Sequence, residues 1–113
     1  MYTGLLWLDF EQDHYSAKIS RCVFGDENIA IEFMGTDEGL KFSGNCRLSR
    51  QGDRFIGSGS FVYSGGNPVS ATVIARVEKN GSDISLHGTW TDQGDSEPHI
   101  LEAELKELKS PQS

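Results

Sequence analysis

Apolar residues recur at every second position through most of the chain, the period of a strand that buries one face. The clearest run is residues 40–49, where Leu40, Phe42, Gly44, Cys46 and Leu48 alternate with Lys41, Ser43, Asn45, Arg47 and Ser49. The same pattern sets Ile84, Leu86, Gly88 and Trp90 against Ser85, His87, Thr89 and Thr91. Phe55, Gly57, Gly59, Phe61 and Tyr63 share one face of another run, as do Ala71, Val73, Ala75 and Val77, and Ile29, Ile31 and Phe33. Residues 2–10 are apolar on both sides, with Leu6, Leu8 and Phe10 on one and Leu5 and Trp7 on the other, as expected of a strand whose outer side is also covered. In residues 15–24 the apolar face is Tyr15, Ala17, Ile19 and Val23. Arg21 falls on that face as its one charged member, and Cys22 falls on the polar side.

Turn signals separate these runs. Gly25-Asp26-Glu27-Asn28, Gly35 to Gly39, Gln51-Gly52-Asp53 and Gly65-Gly66-Asn67-Pro68 are rich in residues that tolerate turn geometry. Asn80-Gly81 predicts a type I′ hairpin, because both residues accept the positive φ that turn demands. Residues 96–109 admit two readings: His99, Leu101, Ala103 and Leu105 alternate as a strand, whereas Leu101, Leu105 and Leu108 also recur at helical spacing. The strand is preferred, since an eighth strand could close the two edges that seven would leave open.

Eight runs joined by turns of about 2 to 5 residues predict an all-β antiparallel meander that closes into a small up-and-down barrel. A two-layer β-sandwich and seven strands plus a C-terminal helix are the alternatives. The Gly-x-aromatic strands, with Gly88-Thr89-Trp90 at the end of one, resemble strands of the streptavidin and lipocalin class of small barrels over residues 40–105. That resemblance implies the architecture and no binding residues. The chain has only Trp7 and Trp90 and lacks the series of tryptophans that lines the biotin pocket in the avidin family.

At 113 residues, with 13 glycines, three prolines and 36% hydrophobic content, the chain reads as a single domain over residues 1–113, with 110–113 a disordered tail. A formal net charge of −7 repels polyanions, so nucleic acid is not an expected partner. The N-terminal stretch has no basic region and only a short apolar run, which predicts no leader peptide, no membrane partner and a cytoplasmic location. Cys22 and Cys46 read as free thiols.

Candidate chemistry is sparse. Asp92, Asp95, Glu97 and His99 form an acidic turn, and Asp9, Glu11, Asp13 and His14 form a second; neither has calcium-loop or zinc spacing, so both read as solvated turns. No serine lies in a nucleophile elbow, and His87 and Cys46 fall on opposite faces. The chain is therefore read as non-catalytic, with no cofactor implied. Asn80-Gly81-Ser82 fits a glycosylation sequon by chance of turn composition. Inward glycines and alanines leave room for a small, largely apolar ligand, with Tyr15, Tyr63 and Trp90 at its edge. Arg21 on the inner face is either an anchor for an anionic group or a member of a buried ion pair, unless a register error of one residue moves it to solvent; the register error or pairing role is preferred. Outward Ile56, Val62 and Ile74, with Leu5 and Trp7, are a candidate homodimer contact. The competing reading is a structural or interaction domain with a solid core.

Overall fold

The computed structural model describes residues 2–9 and 14–107. The strands are β1 (Tyr2–Asp9), β2 (His14–Phe24), β3 (Asn28–Asp37), β4 (Leu40–Gln51), β5 (Arg54–Tyr63), β6 (Val69–Asn80), β7 (Asp83–Asp92) and β8 (His99–Glu107). Each pairs antiparallel with its neighbours in sequence, and β8 pairs with β1 to close the barrel. The described residues contain no helix, which settles the predicted barrel over the sandwich and over the C-terminal helix. Leu101, Ala103 and Leu105 of β8 are buried, while Ile100, Glu102 and Glu104 face out. Strand period wins there because β8 satisfies the backbone groups of both β7 and β1, leaving no edge unpaired. Phe10 to Asp13, Leu108 and the expected tail at 110–113 lie outside the described residues.

Among the described residues the alternation fails in β2. Ile19 pairs with Phe33 and Arg21 with Glu32, so Ser20 is an extra residue in β2. The Ser20 hydroxyl donates to the Glu32 carbonyl (3.1 Å), which holds the bulge. Beyond it every side chain changes face. Arg21 and Val23 point outward, Cys22 is fully buried and Phe24 turns inward. The inward placement of Arg21 and the polar-face placement of Cys22 are thus corrected. A charge in the apolar phase of a strand was the visible sign of the bulge.

Two turns also differ from expectation. β3 runs on to Asp37, leaving only Glu38 and Gly39 as the loop; both have positive φ (49° and 83°), so the type I′ turn is here. Asn80 instead pairs with Asp83 as the last rung of its hairpin. Gly81 (φ 67°) and Ser82 form that loop, in which only the first residue has positive φ, as in a type II′ turn.

The interior glycines are packing devices. A Cβ on Gly59 would lie 2.6 Å from the Trp90 ring, and one on Gly44 would lie 2.4 Å from the Phe33 ring. Trp90 and Phe33 meet edge to face at 6.2 Å and fill the volume those glycines leave. At Gly57 and Gly88 a Cβ would strike the backbone of the adjacent strand, at 1.8 and 1.9 Å, so these positions let neighbouring strands approach closely where the sheet coils. The small inward residues therefore do not leave the room expected from the sequence. Both cysteines are free and buried. Burial pushes the Cys22 thiol up to about 11; burial, and then its neighbour Cys22, push Cys46 up to about 12, which disfavours the thiolate form of both.

Candidate functional site

The barrel has two mouths, which differ in what seals them. One lies where β2–β3, β4–β5 and β6–β7 turn. Extending the inward phase of β2, β4, β5 and β6 to their ends there brings in Phe24, Arg50, Phe55, Val77 and Lys79. Phe24 and Phe55 lie 6.4 Å apart with tilted rings, and Tyr2 packs edge-on against Phe24 at 5.6 Å. Together with Asp26, Asp53 and the turn glycines, these residues enclose an open hollow of about 360 Å³. Lys79 reaches over it: its Nζ is 5.3 Å from the centre of the Phe24 ring and 3.9 Å from Asp26 Oδ1. Such cation–π contact holds an ammonium at an apolar surface without full desolvation. Arg50 donates from Nε to the Gly52 carbonyl (3.1 Å), which uses one of its five donors. Glu107 belongs to the same inward phase across the opening.

At the opposite mouth Tyr15, Phe42, Phe61 and Tyr63 form one aromatic cluster, with Phe42 and Phe61 stacked at 5.0 Å and Tyr15 edge-on to Phe61 at 5.4 Å. The Tyr63 hydroxyl donates to the Tyr15 hydroxyl (2.8 Å) and lies 3.3 Å from Asp37 Oδ2. Burial first, then the bond to Tyr15 and the charge of Asp37, push the Tyr63 phenol well above its ordinary range. Beneath this cluster lies Trp90, fully buried, its Nε1 donating to Asp92 Oδ1 (2.8 Å). The structure thus brings Tyr15 and Tyr63 together as expected. It corrects Trp90, which is a plug inside the barrel and not a residue of the mouth, because Gly59 opposite admits its ring. Arg21 is two corrections in one: it is outside the barrel, and it does not share a site with the tyrosines.

The acidic turn after β7 is internally committed. Asp95 accepts from the Glu97 amide and bonds His99 Nε2, each at 3.1 Å, and those bonds, the Glu97 amide first, hold its carboxyl below the usual range. Asp9 bonds His14 at the end of β1; Glu11 and Asp13 of that turn lie outside the described residues. Among the described residues no three His, Cys, Asp or Glu side chains converge as metal ligands would. The proposed homodimer patch divides in two: Ile56 and Ile74 are an outward pair on β5 and β6, whereas Leu5 and Trp7 are on β1, three strands from β6 and four from β5 around the closed wall.

Sequence reasoning missed Phe24, Arg50 and Lys79. Phe24 was lost through the bulge. Arg50 and Lys79 were legible, because each lies two residues beyond an inward apolar residue, Leu48 and Val77, on an unbroken alternation.

No protein-family model matches the chain, and no curated protein does. Two solved structures are similar in fold. One is a redesigned β-barrel with a TM-score of 0.56 and 13% identity, covering 95% of this chain and 90% of that one. The other is the redesigned β-barrel mFAP1 bound to DFHBI, with a TM-score of 0.58 and 13% identity, covering 93% and 92%. At that identity the likeness is one of architecture: this chain has the fold of a small closed antiparallel β-barrel.

Proposed function

We propose that the protein is a non-catalytic binding module that takes a small, largely apolar ligand with an anionic group at the Phe24–Phe55 mouth. The observation that supports this most directly is the hollow itself, whose apolar wall of Phe24, Phe55 and Val77 is rimmed by the inward-phase cations Arg50 and Lys79, with Asp26 and Asp53 on the turns beside them. The ligand's body would shield aromatic surface from water, and its charged end would exchange hydration for the two cations. The hollow is shallow because Trp90 and Phe33 fill the middle of the barrel. The similar redesigned β-barrel mFAP1, which is bound to DFHBI, is consistent with a barrel of this fold accepting a small ligand.

Calorimetric titration with octanoate and 1-octanol tests the reading. Octanoate should bind the more tightly, and Lys79→Ala or Arg50→Ala should weaken it about three- to tenfold, the ~1 kcal/mol of an exposed ion pair, while leaving octanol unchanged. Absence of saturable binding by either probe refutes it.

The filled middle favours a second reading, an interaction domain acting through its outer wall. Leu5 and Ile100 are 48% and 54% exposed on the adjacent strands β1 and β8, with Trp7 between them in register. Sedimentation showing a concentration-dependent dimer lost on Leu5→Ser would favour that reading over the first.

A further inference from the structure

The charge of this acidic protein is unevenly spread around its wall. The outward faces of β2 to β5 carry five cations, Lys18, Arg21, Lys41, Arg47 and Arg54, against a single carboxylate, Glu32. The bulge at Ser20 is what adds Arg21 to this face. Register then fixes the local geometry: Arg21 is opposite Glu32, Glu32 opposite Asn45, and Ala30 opposite Arg47. The two guanidinium side chains therefore rise diagonally on either side of β3, with the short Ala30 between them. Arg21, Val23, Ala30, Glu32, Asn45 and Arg47 enclose an outer hollow of about 350 Å³. The ion pairs among the described residues are Asp9–His14, Asp26–Lys79 and Asp95–His99, so neither arginine is tied to Glu32. Both retain donor sets suited to an oxyanion.

From this arrangement we infer a second binding site, independent of the mouth, for a compact phosphate-type oxyanion carried on a small polar molecule. Arg21 and Arg47 supply forked donors from two sides, and Asn45 supplies a neutral amide beside them. A polymer fits less well. The basic face is bounded by acidic turns at both ends, Asp26-Glu27 and Asp53 at one and Asp37-Glu38 at the other, so a polyanion lying along the barrel would meet like charge beyond the hollow. The described part of this face also has no exposed aromatic side chain on which bases would stack.

The test is an NMR titration of the full chain with inorganic phosphate at pH 8, following backbone amides and arginine Nε–H signals. The expected result is a saturable shift confined to Arg21, Ala30, Glu32, Asn45 and Arg47. Arg47→Ala should weaken it roughly tenfold and Arg47→Lys less, because lysine keeps the charge and loses the fork. Glu32→Gln should tighten it, because it removes the like charge in the hollow, and Arg76→Ala, on the outer face of β6, should leave it unchanged. Linear shifts at every arginine, indifference to Arg47→Ala, or weakening by Glu32→Gln would each overturn the site. So would tighter binding of a short oligonucleotide with shifts spreading to Lys18, Lys41 and Arg54, which would make the face a polyanion surface.

Discussion

The two mouths of the barrel are built from similar aromatic material and end in different states. At one, Tyr15 and Tyr63 carry hydroxyls that bond each other, and Asp37 stands beside them, so the polar atoms are satisfied within the protein and the rings close ranks. At the other, Phe24 and Phe55 have no polar handle and lie 6.4 Å apart, while the nearby polar groups are the cations Arg50 and Lys79 and the carboxylates Asp26 and Asp53, with Lys79 reaching over the Phe24 ring. Part-buried hydroxyls that find each other hold the rings of one mouth together; at the other mouth the phenylalanines carry no hydroxyl to do so.

What keeps the mouths apart is Trp90, so its removal should have the largest effect. Trp90→Ala should destabilise the barrel by about 3–5 kcal/mol, the range for deleting a large buried aromatic side chain, as read by chemical denaturation. Trp90→Phe should cost less, because a ring would still face Gly59. If Trp90→Ala costs under ~1 kcal/mol, the interior is not the packed partition described here, and the contrast between the mouths loses its basis. A folded Trp90→Ala variant should also gain internal apolar ligand binding beneath the tyrosines, where the native protein has a filled core.

Most of this architecture was legible in the sequence because period two is a property of each strand separately. Leu40 to Ser49 and Ile84 to Thr91 could be oriented with no knowledge of their neighbours, and Gly44, Gly57, Gly59 and Gly88 could be placed on inward faces. What the glycines accommodate was not legible: Gly59 meets a ring from β7, and Gly57 meets the backbone of β4, and only three-dimensional pairing distinguishes a filled space from an empty one. The bulge at Ser20 showed in the sequence only as Arg21 on an apolar face, since one inserted residue leaves composition untouched and reverses every later side chain. Its consequence is large, because it moves Arg21 out to the basic wall and brings Phe24 into the open mouth. The site residues at the strand ends were missed because the apolar pattern was followed only as far as its last apolar member, and Arg50 and Lys79 continue the phase as charges.

A smaller change sharpens the contrast at the sealed mouth. Tyr63→Phe removes the hydroxyl that donates to Tyr15, and should cost about 0.5–1.5 kcal/mol, the net worth of one such bond. It should also alter the alkaline limb of stability. The folded phenol is raised above its ordinary value of 10.0, so its contribution is complete below that pH and is lost as pH rises toward the folded value. Thermal melts of the native protein should therefore fall more steeply above pH 10 than those of Tyr63→Phe, and tyrosinate absorbance should show a late-titrating phenol that Tyr63→Phe removes. Equal alkaline slopes would mean that the phenol pair does not close this mouth.

The loop bordering the sealed mouth should respond least, and in the opposite pH range. Asp95 organises the turn after β7 by accepting from the Glu97 amide and bonding His99, and its carboxyl is held below its ordinary value of 3.8. A carboxylate lowered on folding contributes above the unfolded pKa, and loses that contribution as pH falls through the folded one. The melting temperature of Asp95→Asn should accordingly lie slightly below that of the native protein at neutral pH, with the gap steady down to about pH 4 and closing below it. Because Asp95 is exposed, solvent screens its bonds and the gap should be small beside that of Tyr63→Phe. A gap that instead widened on acidification would show that the turn depends on His99 in a way unrelated to the Asp95 carboxylate. The closed mouth would then be held from its loop as well as from its tyrosines.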